Sequence, residues 1–226
     1  MTTTHHRRVA AGGLVLGPLL FTLADLLRRL IEPTGINSAT TITRAVDQHR
    51  GAWLAAGLLS VASAYCFVAG VAGLITTASG RGARFTTVGA VLTGIGAVAS
   101  VGHAVAFYSP YALYDTARIT ASDIEALDRA SETSPLLIAI VVLFMIGMMV
   151  GPVILLFGML RGRRTPVWSF VAAIVFVACG STSGAAAGVL AIAAALAAFI
   201  PAARSLTAPS PIRLQHPAVQ GSIQPR

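Results

Sequence analysis

The chain has 226 residues, of which 55% are hydrophobic and 11% charged, and its net charge is +8. About a quarter of the residues of a soluble domain are charged, so a water-soluble fold is excluded: this much apolar side chain cannot be hidden from water in one small core. Lysine is absent altogether, which removes a lysine Schiff base and the lysine of a phosphate-binding Walker loop from the available chemistries.

Apolar runs near 20 residues recur along the chain, each long enough to cross roughly 30 Å of hydrocarbon as helix. Residues 1–8 form a basic N-terminal segment ending in His5, His6, Arg7 and Arg8. The run Val9–Leu27 that follows is too long for a signal-peptide core and has no small-x-small cleavage site after it, so it reads as a retained first span. Span 2 covers about Ala52–Thr76, span 3 Phe85–Phe107 and span 4 Pro135–Leu160. The last run, Pro166–Ala203, would reach about 57 Å as one helix, too far for a single crossing. Its one polar turn-forming cluster, Cys179-Gly-Ser-Thr-Ser-Gly184, divides it into span 5 (Pro166–Cys179) and span 6 (Gly184–Ala203). The predicted class is therefore an all-α polytopic transmembrane bundle occupying residues 9–203. It has six spans, with five and a tilted last helix as the alternative.

Charge placement orients this bundle. All eight acidic residues lie in or beside the segments 32–50 and 108–134, while the compact turns Ser79-Gly-Arg-Gly-Ala-Arg84 and Arg161-Gly-Arg-Arg164 carry only arginine. With both termini inside, ten arginines fall on the inner side, and the outer side keeps the other six and every acid. The expected location is the cytoplasmic membrane, and the positive net charge is explained by this bias rather than by nucleic-acid binding. The tail 204–226, rich in Pro, Gln and Ser, reads as disordered on the inner side.

The outer segments carry structure of their own. Ser38 is positioned to cap a helix bearing Ile42, Ala45, Val46, His49 and Trp53 at spacings of three and four. Ser122-Asp-Ile-Glu125 fits the S-x-x-E capping box, with Ile124 and Leu127 near one turn apart. Tyr108, Tyr111 and Tyr114 follow span 3 at the depth of an aromatic belt.

Two ionisable residues are embedded in apolar runs, Asp25 in span 1 and His103 in span 3, both in the outer third. Such groups are expensive in hydrocarbon and face a partner or a wet cavity. If spans 1 and 3 are neighbours, Asp25 and His103 form a ligand or proton site near physiological pH, which His49, Asp47, Glu32 and Tyr108 extend. The competing reading is structural: Asp25 pairs with Arg28 or Arg29 along its own helix, and His103 snorkels to the headgroups. The pattern Gly13-x-x-x-Gly17-Pro18 in span 1 recurs as Gly147-x-x-x-Gly151-Pro152 in span 4. Small residues four apart permit close helix approach, and spans 1 and 4 are expected to pack on each other through them. Interrupted helices in both halves also occur in transporter sites, but here the two prolines match only when counted from the inner surface.

Several chemistries drop out. One intramembrane histidine cannot provide bis-histidine haem ligation. The chain has no Cys-x-x-Cys, no His-Glu-x-x-His and no Gly-x-Ser-x-Gly. Cys66 and Cys179 lie within apolar runs as small buried side chains. No cofactor and no metal is expected.

From Arg7 to about Arg204 the layout resembles that of small multi-pass bacterial integral-membrane proteins to which no activity is assigned. The resemblance is carried by the segment Arg7–Phe21, the Arg-Gly-Ala-Arg turn before span 3 and the Gly-Pro inside span 4. It implies the topology and no mechanism. Three functions compete: a binder of a small or lipid-like ligand, or of a partner, in its outer half without catalysis; a small transporter or channel subunit acting as a homo-oligomer; and an intramembrane enzyme on a lipid or isoprenoid-like substrate with Asp25 as acid and His103 as base. An enzyme needs both groups on one apolar pocket, a proton-coupled transporter needs one on a water path, and a binder needs neither.

Overall fold

The computed structural model describes residues 2–33 and 38–208. Within them the chain forms seven helices and no strand: α1 (Thr2–Ile31), α2 (Ala39–Thr77), α3 (Ala83–Ala117), α4 (Ala121–Glu132), α5 (Pro135–Arg161), α6 (Val167–Gly180) and α7 (Ala185–Thr207). Five of them (α1, α2, α3, α5 and α7) are long and apolar enough to cross a membrane. α6 has 14 residues, about 21 Å of helix, short of the hydrocarbon thickness. The break between α6 and α7 falls at the expected polar turn, where Gly184 takes a φ of 93° that favours glycine. α7 continues to Thr207, so residues 204–207 of the expected tail are helical, and its remainder lies outside the described residues.

Large apolar side chains cover the outside of the bundle. Leu58, Val98, Leu136 and Val167 are all exposed, an arrangement that water would penalise and lipid tails accept. Helices of this length and composition, with this surface, mark a multi-pass membrane protein.

Sequence neighbours pack as antiparallel pairs, and two seams of small residues bring them close. On the first, Gly13 and Gly17 of α1 meet α2: a Cβ on Gly13 would come within 2.8 Å of the Gly70 nitrogen, and one on Gly17 within 2.9 Å of the Phe67 backbone. The Ser63 hydroxyl of α2 donates to the Gly17 carbonyl across this seam (2.8 Å). On the second, Gly147, Gly151 and Gly158 of α5 face Gly96, Thr93 and Thr86 of α3. The expected packing of spans 1 and 4 on each other through these motifs is therefore corrected. Each Gly-x-x-x-Gly-Pro finds its complement on a different helix, because α3 repeats small residues at the matching spacing (Thr86, Gly89, Thr93, Gly96) and α2 offers Gly70. Pro18 and Pro152 sit inside their helices without ending them.

The outer segments are more continuous with the spans than expected. Ser38 does cap a helix, its hydroxyl accepting from the Thr41 nitrogen, but that helix runs on into span 2 through a kink at His49 (φ −132°, ψ 31°). α3 extends through Pro110 to Ala117. The cap of α4 is Thr120 rather than Ser122: the Asp123 nitrogen donates to its hydroxyl, which donates in turn to the Asp123 carboxylate (2.5 Å). The cap thus lies two residues upstream of the one expected, and Asp123 closes it through the Thr120 hydroxyl.

The largest core cluster joins Leu14, Phe67, Leu155, Met159, Phe199 and Leu206. A second cluster, Ile42, Val46, Trp53, Tyr108, Tyr111 and Ile124, lies where α4 and the start of α2 fold over the end of α3. Tyr108 and Tyr111 are thus 8% exposed each and do not form the expected aromatic belt. Trp53 packs against both, tilted to Tyr108 and edge-on to Tyr111, with ring centroids 4.9 and 6.0 Å apart, and its indole N–H donates to the Tyr108 carbonyl (2.9 Å). A Trp buried with its N–H satisfied is an anchor for the helices around it.

Candidate functional site

A cavity of about 500 Å³ opens between α1, α3, α5 and α6. Residues near one turn apart on each helix build it. Phe21, Asp25 and Arg28 come from α1, Ser100, His103 and Phe107 from α3, Met145, Met148 and Met149 from α5, and Phe176 and Val177 from α6. Phe144 and Phe21 face each other across it, 6.1 Å between ring centroids, and Phe176 meets Phe21 edge-on at 6.4 Å. Exposed Met145 and Ser181 lie on its rim. α1 and α5, the pair expected to pack tightly, thus stand on opposite walls of a cavity.

Its polar end is formed around Asp25. The carboxylate is shared by two arginines on its own helix: Oδ1 accepts from Nε and Nη2 of Arg28 (3.2 and 2.9 Å), and Oδ2 accepts from Nε of Arg29 (2.6 Å). Arg29 is only 2% exposed. Its guanidinium also donates to the carbonyls of Cys179 (3.1 Å), Gly184 (3.3 Å), Gly180 (3.5 Å) and Thr182. These carbonyls lie at the C-terminal end of α6, in its turn and at the start of α7, where a helix leaves backbone acceptors only partly used and an apolar setting makes them expensive to leave bare. Arg29 therefore fastens the α6–α7 turn to α1 and orients Asp25 at once.

His103 occupies the facing wall. Its ring stacks between Phe144 (4.8 Å, 14°) and Phe107 (5.9 Å, 18°). The hydroxyls of Ser60 and Ser100, which also line the cavity, donate to the Ala56 and Ala97 carbonyls (3.0 and 2.7 Å), and Ser60 is within hydrogen-bonding reach of the Tyr108 hydroxyl as well.

Of the residues singled out in the sequence, Asp25, His103 and Tyr108 line this one cavity. Asp25 and His103 are not hydrogen-bonded to each other; both carboxylate oxygens are taken by arginine. The two sequence readings of Asp25 thus hold together, as helix ion pair and as cavity wall. His49 stands apart, exposed at the α2 kink, because the kink turns that segment outward. Sequence reasoning named Arg28 and Arg29 only as ion-pair partners of Asp25, which they are, and missed Phe21, Phe144 and the methionines. The signal was present in the spacing: Phe21, Asp25 and Arg28 share one face of α1 with period four then three, as do Ser100, His103 and Phe107 on α3. Among the described residues no cluster of His, Cys, Asp and Glu could hold a metal ion. No protein-family model, no curated protein and no solved structure matches this chain.

Proposed function

We propose that this protein binds a lipid-like molecule in its outer half, without catalysis, the acyl or isoprenoid part lying among Phe21, Phe144, Met148 and Phe176 and the polar part beside Arg28 and His103. The observation that carries this reading is the two-sided chemistry of the cavity. Its volume of about 500 Å³ falls within the range of ligand sites, and its wall is aromatic and thioether with a few polar groups gathered at one end. A methionine-rich wall adapts to a flexible chain.

The same reading includes six crossings, with both termini inside in the cytoplasmic membrane. α6 supports it from both of its ends. Before it, the Arg164 guanidinium donates to the Thr77 carbonyl at the end of α2 (2.9 Å); after it, Cys179 and Thr182 accept from Arg29 near the end of α1. A helix tied to both ends of the bundle acts as a crossing despite its 14 residues.

Photolabelling tests the binding site. A dodecanol carrying a chain diazirine should crosslink to peptides containing Phe21 or Met148, and Ser100→Phe or Met145→Trp should suppress the labelling. Labelling confined to the outward groove of Val91, Ile95 and Val98 would count against the proposal.

A further inference from the structure

We infer that the molecule held in this cavity carries one anionic headgroup, a carboxylate or a phosphate, and that Arg28 binds it. The inference rests on the binding reading above and adds the chemical class of the ligand. Asp25 is the one acid among the cavity-lining residues, yet two guanidinium groups bond to it. Taken together, Asp25, Arg28 and Arg29 carry +1. Arg29 cannot be where that excess is met, since its remaining donors are committed to backbone carbonyls and it is 2% exposed.

Arg28 differs in geometry. It lines the cavity, its side chain is 28% exposed, and both of its bonds go to a single oxygen of Asp25 through Nε and Nη2. Among the described residues, Nη1 of Arg28 has no hydrogen-bond partner, and the His103 ring on the opposite wall is held by ring stacking. A guanidinium that shares its one carboxylate with a second arginine keeps donor capacity beside an apolar chamber, and an oxyanion offering two acceptors is its natural complement. Arg28 would anchor such a headgroup at the mouth, with His103 donating or accepting a second bond, and the chain would lie inward along Phe144 and Phe176.

The test compares four ligands with one chain: dodecanoate, dodecyl phosphate, dodecanol and dodecylamine. Each is titrated into protein reconstituted in phosphatidylcholine bilayers, with bound ligand counted by native mass spectrometry. The anions should bind about tenfold or more tightly than dodecanol, with dodecylamine weakest, and the order of dodecanoate and dodecyl phosphate tells a fatty acid from a phospholipid or other phosphate source. Arg28→Gln should bring binding of the two anions down to that of dodecanol in the same variant; Arg28→Lys should retain part of the preference. Because the comparison among ligands is made on the parent protein, it stands even if a variant folds poorly. Equal binding of all four, still blocked by Ser100→Phe, would overturn the anionic assignment while the cavity reading survived. Absence of binding by any of them would overturn both.

Discussion

Arg28 and Arg29 are adjacent in sequence and share one carboxylate, but their environments differ: one is partly exposed at a cavity mouth and the other is buried against four carbonyls. Removing them should therefore have unequal costs. Arg29→Ala leaves Oδ2 of Asp25 without its donor and bares the end of α6 inside the bundle, and breaking a buried charge network costs about 3–5 kcal/mol. Arg28→Ala removes a partly solvated pair worth about 0–1 kcal/mol. Thermal unfolding in detergent should place Arg28→Ala near the parent and Arg29→Ala far below it; equal losses would mean that Arg29 does not hold the α6–α7 turn.

At the scale of elements, the helices adhere through glycine seams rather than through large side chains, as expected where lipid tails remove the hydrophobic incentive for helices to associate. Gly151 lies so close to α3 that a Cβ would approach the Thr93 nitrogen to 2.6 Å, whereas nothing lies within 4 Å of a Cβ on Gly12. Gly151→Leu should destabilise by at least the 1–3 kcal/mol typical of overpacking, and Gly12→Leu should be close to neutral. A melting comparison of the two variants checks this, and an unaffected Gly151→Leu would mean that α5 meets lipid along this face. Pro18 and Pro152 each sit beside a seam glycine, so the freed carbonyls of Leu14 and Met148 fall at the tightest contacts, where a neighbouring helix shields them.

For the molecule as a whole, the arginine-rich turns gather at one end and the acid-bearing α4 at the other, with the cavity toward the α4 end. In a background with Cys66 and Cys179 replaced by alanine, Ser122→Cys should react with an impermeant thiol reagent in intact cells and Ser79→Cys should not. Both positions are exposed, so the difference reports sidedness rather than burial. The opposite pattern would invert the molecule and move the cavity mouth to the inner leaflet. The three functional readings separate here too: a transporter requires the cavity to open alternately to both sides, whereas a binder keeps the single mouth beside Met145 and Ser181.

The helical membrane class and the break at 180–184 were legible in the sequence because hydropathy and turn residues are local or additive properties of the chain. The embedded Asp25 and His103 were legible as exceptional for the same reason, since one charge in an apolar run is visible without knowing its neighbours. What they touch was not. Two nearly identical Gly-x-x-x-Gly-Pro motifs cannot announce their partners, because close packing depends on the complementary surface of another helix; α2 and α3 supply that surface, and α1 and α5 are left facing one another across a cavity. The tyrosines likewise carry no local signal distinguishing a belt from a buried cluster; only the folding of α4 and the start of α2 over the end of α3 makes them core. Local chemistry determined that there are polar groups to satisfy inside this bundle, and tertiary packing alone decided that Arg29 satisfies the backbone while Arg28 faces the open space.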